Sequence, residues 1–118
     1  MRHLTKKHTL SKAKDQRDAL LRALATELFT HGEIKTTMPR AKALRAYAEG
    51  IITMAKEDSV HSRRQAAKFI YDKEIGKFID TKTGELFDAP DKDKKLVSQT
   101  VLRRLFYIIG KKYSSRQG

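Results

Sequence analysis

The chain has 118 residues, 39% of them hydrophobic, and 26 Lys plus Arg against 14 Asp plus Glu, a net charge of +12 at pH 7. With a sequence pI near 10.1, it is expected to be one basic domain with a modest core and a polyanionic partner. Cys is absent, which excludes a disulfide framework or thiolate metal site and points to an intracellular protein; no apolar run is long enough to span a membrane, and the start lacks the apolar stretch of a secretory signal.

Residues 1–14 carry Arg2, Lys6, Lys7, Lys12 and Lys14, with His3 and His8 among them and no carboxylate. Only Leu4 and Leu10 are sizeable apolar residues, so the segment reads as a basic extended arm that orders against RNA, the alternative being a solubilising tail.

A single domain over 15–118 follows. Asp15 to Thr30 reads as a helix with Leu20, Leu24 and Leu28 repeating every fourth residue, Leu21, Ala25 and Phe29 beside them, and Arg22 and Thr26 on the other side. His31-Gly32 closes it. Ile34-Lys35-Thr36-Thr37-Met38 has the β-branched residues and alternation of a half-buried strand, and Pro39 suits the first turn of the next helix, capped by Thr36 or Thr37. Lys35, Arg40, Lys42, Arg45 and the titratable His31 thus gather at a strand end and a helix N-terminus, equipment suited to phosphate.

That second helix runs to about Lys56 with Leu44, Tyr47, Ala48, Ile51 and Ala55 inward and Lys42, Arg45, Glu49 and Lys56 outward. Arg45 and Glu49 also form an i, i+4 pair, and Gly50 is read as a close approach of another backbone. Asp58 or Ser59 caps a third helix to about Asp72, with Val60, Ala66, Ala67 and Ile70 inward. His61, Arg64 and Lys68 form a cationic stripe along it, and Arg63 snorkels from its apolar edge.

Residues 72–95 hold seven acids and six lysines, net −1, so the rest of the chain carries +13. Phe78–Thr81, Lys82-Thr83-Gly84 and Glu85–Phe87 read as a hairpin within an acidic segment at about 76–94. Its acids alternate with lysines and lack the ligand spacing of a calcium loop. Because phosphate repels them, they are expected to face solvent or a basic neighbour. The last helix, about Lys95 to Tyr113, sets Val101, Leu102, Leu105, Phe106, Ile108 and Ile109 against Thr100, Arg103, Arg104, Tyr107 and Lys111. Tyr107, among three cations, is placed to stack on a splayed base, or else lies over neighbouring side chains.

No phosphate loop, zinc-protease motif or nucleophile elbow occurs, and the four histidines are scattered. The residues alone therefore give a basic nucleic-acid-binding module without catalysis, cofactor, metal or small-molecule substrate.

Met1-Arg2-His3, Arg17-x-Ala19-Leu20-Leu21-Arg22-x-Leu24-Ala25, Ile34-x-Thr36-Thr37-x-x-Arg40-Ala41-Lys42-x-Leu44-Arg45, Ala48-Glu49, Ile52-Thr53-x-Ala55-Lys56 and His61-x-Arg63-Arg64-Gln65-Ala66 occur in order. Together they resemble the bacterial family of ribosomal protein seventeen of the large subunit, closely over residues 1 to about 75 and weakly again from Leu105. The resemblance implies a structural constituent bound to large-subunit ribosomal RNA near the outer surface around the nascent-chain exit. Neighbouring large-subunit proteins would be its other partners, on the ribosome of a bacterial cytoplasm or an organelle. It also implies an α+β fold, mainly helical, with about four helices on a small or remnant β-sheet. Residues 76–100 look like an insertion relative to the shortest members. The family also continues into C-terminal strands, so the strand at Ile34–Met38 is expected to lack its usual partner, either because the sheet is a remnant or because the sequence is cut short. The rival readings are a DNA-binding or nucleoid protein, which needs a base-reading helix or dimer seam, and an RNA-processing enzyme, which needs paired carboxylates or a poised histidine.

Overall fold

The computed structural model describes residues 13–91 and 93–115. Its order is α1 (Lys14–His31), α2 (Met38–Glu57), α3 (Val60–Ala66), β1 (Glu74–Asp80), β2 (Leu86–Phe87), β3 (Leu96–Thr100), α4 (Val101–Arg104), a π-helical turn (Leu105–Ile109) and α5 (Gly110–Lys112). This is the expected α+β fold, with helices packed on a small antiparallel sheet of order β2-β1-β3.

Helix α1 ends where Gly32, at φ 85°, donates its N–H to Leu28 O at 2.8 Å. Its buried positions are Ala25, Thr26 and Phe29, so the inner face is rotated away from the expected Leu20–Leu24–Leu28 stripe, with Leu21, Leu24 and Leu28 only flanking the core. Thr26 therefore faces inward, contrary to the sequence reading.

The expected strand at Ile34–Met38 is absent. Residues 33–37 are irregular, and Met38 already opens α2. Thr37 holds the N-cap position of α2 with extended backbone but makes no side-chain cap bond, and Pro39 sits in the first turn as expected. The inner face of α2 is Ala43, Leu44, Ala48, Ile51 and Ala55. Gly50 meets nothing within 4 Å; the close backbone approach is instead at Gly110 of α5, where a Cβ would lie 2.7 Å from Ala55 O.

Ser59 caps α3 in a reciprocal capping box with Ser62, their hydroxyls bonding each other's backbone N–H at 3.0 and 2.8 Å. Val60, expected inside, is 65% exposed. The helix stops at Ala66 instead of continuing to Asp72, because side chains of α1 and α2 take the following backbone groups. Arg22 Nη2 donates to Ala67 O at 3.3 Å and Ile70 O at 3.1 Å. Tyr47 Oη donates to Phe69 O at 2.7 Å, and Tyr71 N donates to Thr26 Oγ1 at 2.8 Å. With these groups satisfied outside a helical ladder, the chain turns into β1 at little polar cost.

The β1–β2 hairpin lies where the sequence placed it, paired Phe78↔Phe87 and Ile79↔Leu86. Asp80 Oδ1 accepts from Lys82 N at 2.8 Å inside the turn. The sequence reading missed that Leu96–Thr100 is a strand, pairing Ile79↔Val97 and Phe78↔Ser98 across a bulge at Gly76 and Lys77, whose φ angles are 92° and 60°. The last helix accordingly starts at Val101. Its first three N–H groups are taken by Lys73 O at 3.0 Å, Asp72 Oδ1 at 3.0 Å and Thr100 Oγ1 at 3.2 Å.

The core joins Ala25 and Phe29 to Leu44, Ala48, Ile51, Ala55, Ala66, Ile70, Val101, Leu105 and Phe106. Gly110→Ala should lower stability by about 1–3 kcal/mol through overpacking, whereas Gly50→Ala in open space should raise it by about 0.5–1 kcal/mol; paired urea melts measure both.

Burial pushes the Tyr47 phenol up to about 12. A folded-state pKa above the unfolded one means this stabilisation is present below about pH 10 and lost as pH climbs from there toward 12. Tyr47→Phe should melt lower than the parent at pH 8, since Phe69 O loses its donor at a cost of about 1 kcal/mol or more. The variant should then lose less stability than the parent between pH 10 and 12 in a melting series.

Candidate nucleic-acid interface

The structure divides the expected RNA-contacting cations into those that bond within the fold and those that do not. Arg22 belongs to the first group: its Nη2 donates to two carbonyls and its guanidinium carbon lies 4.5 Å from the Tyr71 ring centroid, so its head is turned inward rather than presented outward. Arg63 is half-buried, bonding Asp58 Oδ1 through Nε at 3.1 Å and Nη2 at 2.7 Å. Its guanidinium carbon lies 5.5 and 5.3 Å from the Phe106 and Tyr107 ring centroids, so the head, which the snorkelling reading left in water, is engaged by Asp58 and the two rings. The Asp58 carboxylate holds the Arg63 guanidinium even more firmly protonated than usual.

Arg104, expected on the outer half of the last helix, is half-buried. With the Gln99 amide oriented to satisfy its neighbours, Gln99 nitrogen donates to Gly76 O at 2.9 Å and its oxygen accepts from Arg104 Nη1 at 3.1 Å. Lys111 Nζ donates to Thr81 O and Lys82 O, both at 3.1 Å, clamping the hairpin turn to the C-terminal helix. That contact is close because the turn's Gly84 leaves no room for a Cβ beside Tyr107 O, which would lie at 2.8 Å. Arg45 pairs with Glu49 at 3.1 Å, but both side chains are largely in solvent, where such a pair contributes little.

The second group comprises Lys14, Arg17, Lys35, Arg40, Lys42, His61, Arg64 and Lys68. None makes a side-chain hydrogen bond or ion pair within the described residues. Lys35, Lys42, His61, Arg64 and Lys68 are exposed, as are Thr36 and Thr37. The first turn of α2 carries no acid and no side-chain cap, so the partial positive charge of its N–H groups adds to Lys35, Arg40 and Lys42. Arg2, His3, Lys6, Lys7, His8 and Lys12 of the expected arm lie outside the described residues; Lys14 opens α1.

Carboxylates are handled differently. Asp72 and Asp80 bond backbone N–H groups, and the hydrogen bonds from Lys82 and Thr83 hold the Asp80 carboxyl below its ordinary range. Glu27 bonds Lys73 Nζ at 2.8 Å and His31 Nε2 at 3.0 Å, chiefly the former lowering its carboxyl. Glu85, Asp88, Asp91 and Asp93 stand exposed on the hairpin and the loop after it. No group of acids and histidines among the described residues is arranged to hold a metal ion.

One feature was invisible from the sequence. Arg63, Val97, Leu102, Arg103, Phe106 and Tyr107 line an open cleft of ≈ 280 Å³. Val97 reaches it only because Leu96–Thr100 is a strand; the β-branched Val97 and Thr100 were the available signal. Arg103 Nη1 at its rim donates to Ser98 O at 3.0 Å and Ser98 Oγ at 2.8 Å. Tyr107 is half-buried, with Lys111 Nζ 5.8 Å from its centroid in addition to Arg63.

A sequence family described as Ribosomal protein L17 matches residues 20–118. The large ribosomal subunit protein bL17 of Sulfurihydrogenibium sp. (strain YO3AOP1) is 41% identical over 87 residues, 74% of this chain and 72% of that relative.

Because the Arg22 guanidinium holds the turn after α3, Arg22→Ala should destabilise the protein by about 1–3 kcal/mol, leaving Ala67 and Ile70 carbonyls without a donor. Arg64→Ala should stay within about 0.5 kcal/mol of the parent. Thermal melts of the two variants test this division, and equal melting temperatures would remove Arg22 from its structural role.

Proposed function

The chain belongs to the ribosomal protein L17 family, and we propose that it is a structural constituent of the large ribosomal subunit that binds and stabilises large-subunit ribosomal RNA. It is a ribosomal component and not an enzyme. The observation that carries the RNA reading is the set of cations left unbonded by the fold. Lys35, Arg40 and Lys42 stand at an uncapped helix start, and His61, Arg64 and Lys68 stand on and just past α3. The acids are engaged elsewhere: Glu27 with Lys73 and His31, Glu49 with Arg45, Asp58 with Arg63, and Asp72 and Asp80 with backbone N–H groups.

Phosphates are the matching partner. Each cation that meets one displaces a condensed counterion, while helix faces fix the register of the protein on folded RNA. Lys14 and Arg17 of α1 add to this set, and the arm cations Arg2, Lys6, Lys7 and Lys12, with His3 and His8, would bring further charge to the phosphates. Arg103, at an exposed rim, keeps donors available for them, and Tyr107 lines the same cleft. The acidic hairpin faces solvent or a basic neighbouring large-subunit protein, and the protein works on the bacterial ribosome in the cytoplasm.

The triple variant Lys42→Ala, Arg64→Ala, Lys68→Ala should keep the parent melting temperature. Its log–log salt slope for binding to large-subunit RNA should flatten by roughly 0.7–0.9 for each phosphate that no longer meets a cation, and it should wash from large subunits at lower salt in cosedimentation. An unchanged slope would take α2 and α3 out of the interface.

A further inference from the structure

We propose that the cleft formed by Arg63, Val97, Leu102, Arg103, Phe106 and Tyr107 receives one unstacked RNA base, whose flanking phosphate rests on Arg103. The inference builds on the ribosomal-RNA reading and names what one part of that surface recognises.

The cleft has the composition such a site requires. Its floor is the buried Phe106 ring, its sides are half-buried Val97, Leu102 and Tyr107, and its only charged members are two arginines. Bases stack on aromatic rings and on guanidinium planes. Arg63 is immobilised for that role, since two of its nitrogens bond the Asp58 carboxylate and its head already lies over both aromatic rings. A guanidinium fixed in this way loses little rotamer freedom when a ligand arrives.

Arg103 is held differently. Both of its bonds to Ser98 use Nη1, so within the described residues the remaining donors of its fork point to no partner. A phosphate next to an inserted base would meet them. Among the described residues no carboxylate lines the cleft, Asp58 being already engaged by Arg63, so an anion meets no repulsion there.

Size narrows the occupant. At ≈ 280 Å³ the cleft falls just under the roughly 300–1,000 Å³ of sites for drug-sized molecules, which suits a single planar ring system. The surrounding charge selects one attached to phosphate.

The test begins with the unaltered full chain. Methyl signals of Val97 and Leu102 are followed by NMR during titration with adenosine 5′-monophosphate and, separately, with ribose 5-phosphate. Adenosine monophosphate should shift both residues and ribose phosphate neither. Equal shifts from the two, or none from either, overturn the inference, as does displacement of adenosine monophosphate by an Asp/Glu-rich peptide at a lower concentration than the nucleotide itself requires.

A short oligoadenylate is then compared with an abasic backbone of equal length. Tyr107→Ala should weaken the oligoadenylate roughly 5- to 150-fold, the effect of one stacked base, with an unchanged salt slope and little change for the abasic strand. Tyr107→Phe should keep the parent affinity. Should Tyr107→Ala fail to fold, the preference of the parent for oligoadenylate over the abasic strand decides alone, equal binding refuting the base site. Continued salt-resistant cosedimentation with large subunits alongside a failed nucleotide titration would discard the cleft and leave the ribosomal assignment standing.

Discussion

The fold depends on a cluster of polar side chains that ends a helix. After Ala66 the ladder tightens to i−3 bonds from Lys68 and Phe69 and then stops, and Arg22, Thr26 and Tyr47 supply partners from α1 and α2 for the carbonyls of Ala67, Phe69 and Ile70 and the N–H of Tyr71. Unbonded buried backbone groups would cost about 1–3 kcal/mol each, so these three side chains decide that the chain turns there. Everything C-terminal follows from that turn: β1 leaves it, and Asp72 and Lys73 at its exit bond the first N–H groups of α4. The turn and the C-terminal helix are thereby tied together.

The same cluster explains which basic residues remain for a partner. A guanidinium reaches backbone carbonyls with a rigid fork, and the fold uses arginines at its joints: Arg22 beyond α3, Arg63 at Asp58 and Arg104 at the sheet. Most of the described lysines are exposed, and among them Lys73 and Lys111 tie segments together. Sorting by chemistry in this way separates structural cations from those whose charge reaches solvent, a distinction that a net charge of +12 cannot make.

Much of this was legible in sequence, for identifiable reasons. Long amphipathic segments gave α1 and α2 nearly to the residue, and the Gly84 turn gave the hairpin. Arg22 and Thr26 were misread because the leucine repeat outweighed the Arg22–Ala25–Thr26–Phe29 line, which has the same helical spacing but contains two polar residues. The helix expected through Asp72 failed because its terminator is three side chains distant in sequence, which no local pattern records. Leu96–Thr100 was absorbed into the following helix because no Gly or Pro separates them, although Thr100 caps that helix. Since Val97 comes from that strand, the cleft could not be seen either. Conversely, the exposure of Lys42, His61 and Arg64 was legible from helical spacing, because exposed charge needs no tertiary partner, whereas Lys68 lies in the turn past α3 and not on the helical stripe expected for it.

The overturned strand at Ile34–Met38 has a functional side. With the sheet built entirely from residues 74–100, the backbone groups of 33–36 have no backbone partners among the described residues. In a soluble protein such a segment is simply hydrated. Here it carries Lys35, Thr36 and Thr37 directly into the uncapped start of α2, with no acid in that first turn. A side-chain cap or an Asp at this position would stabilise α2 by about 1 kcal/mol, so its absence costs the isolated domain something. A phosphate would satisfy the same N–H groups and meet the helix dipole and the neighbouring cations at once. Under the proposed RNA-binding function, the uncapped start of α2 is where an RNA phosphate would supply the cap.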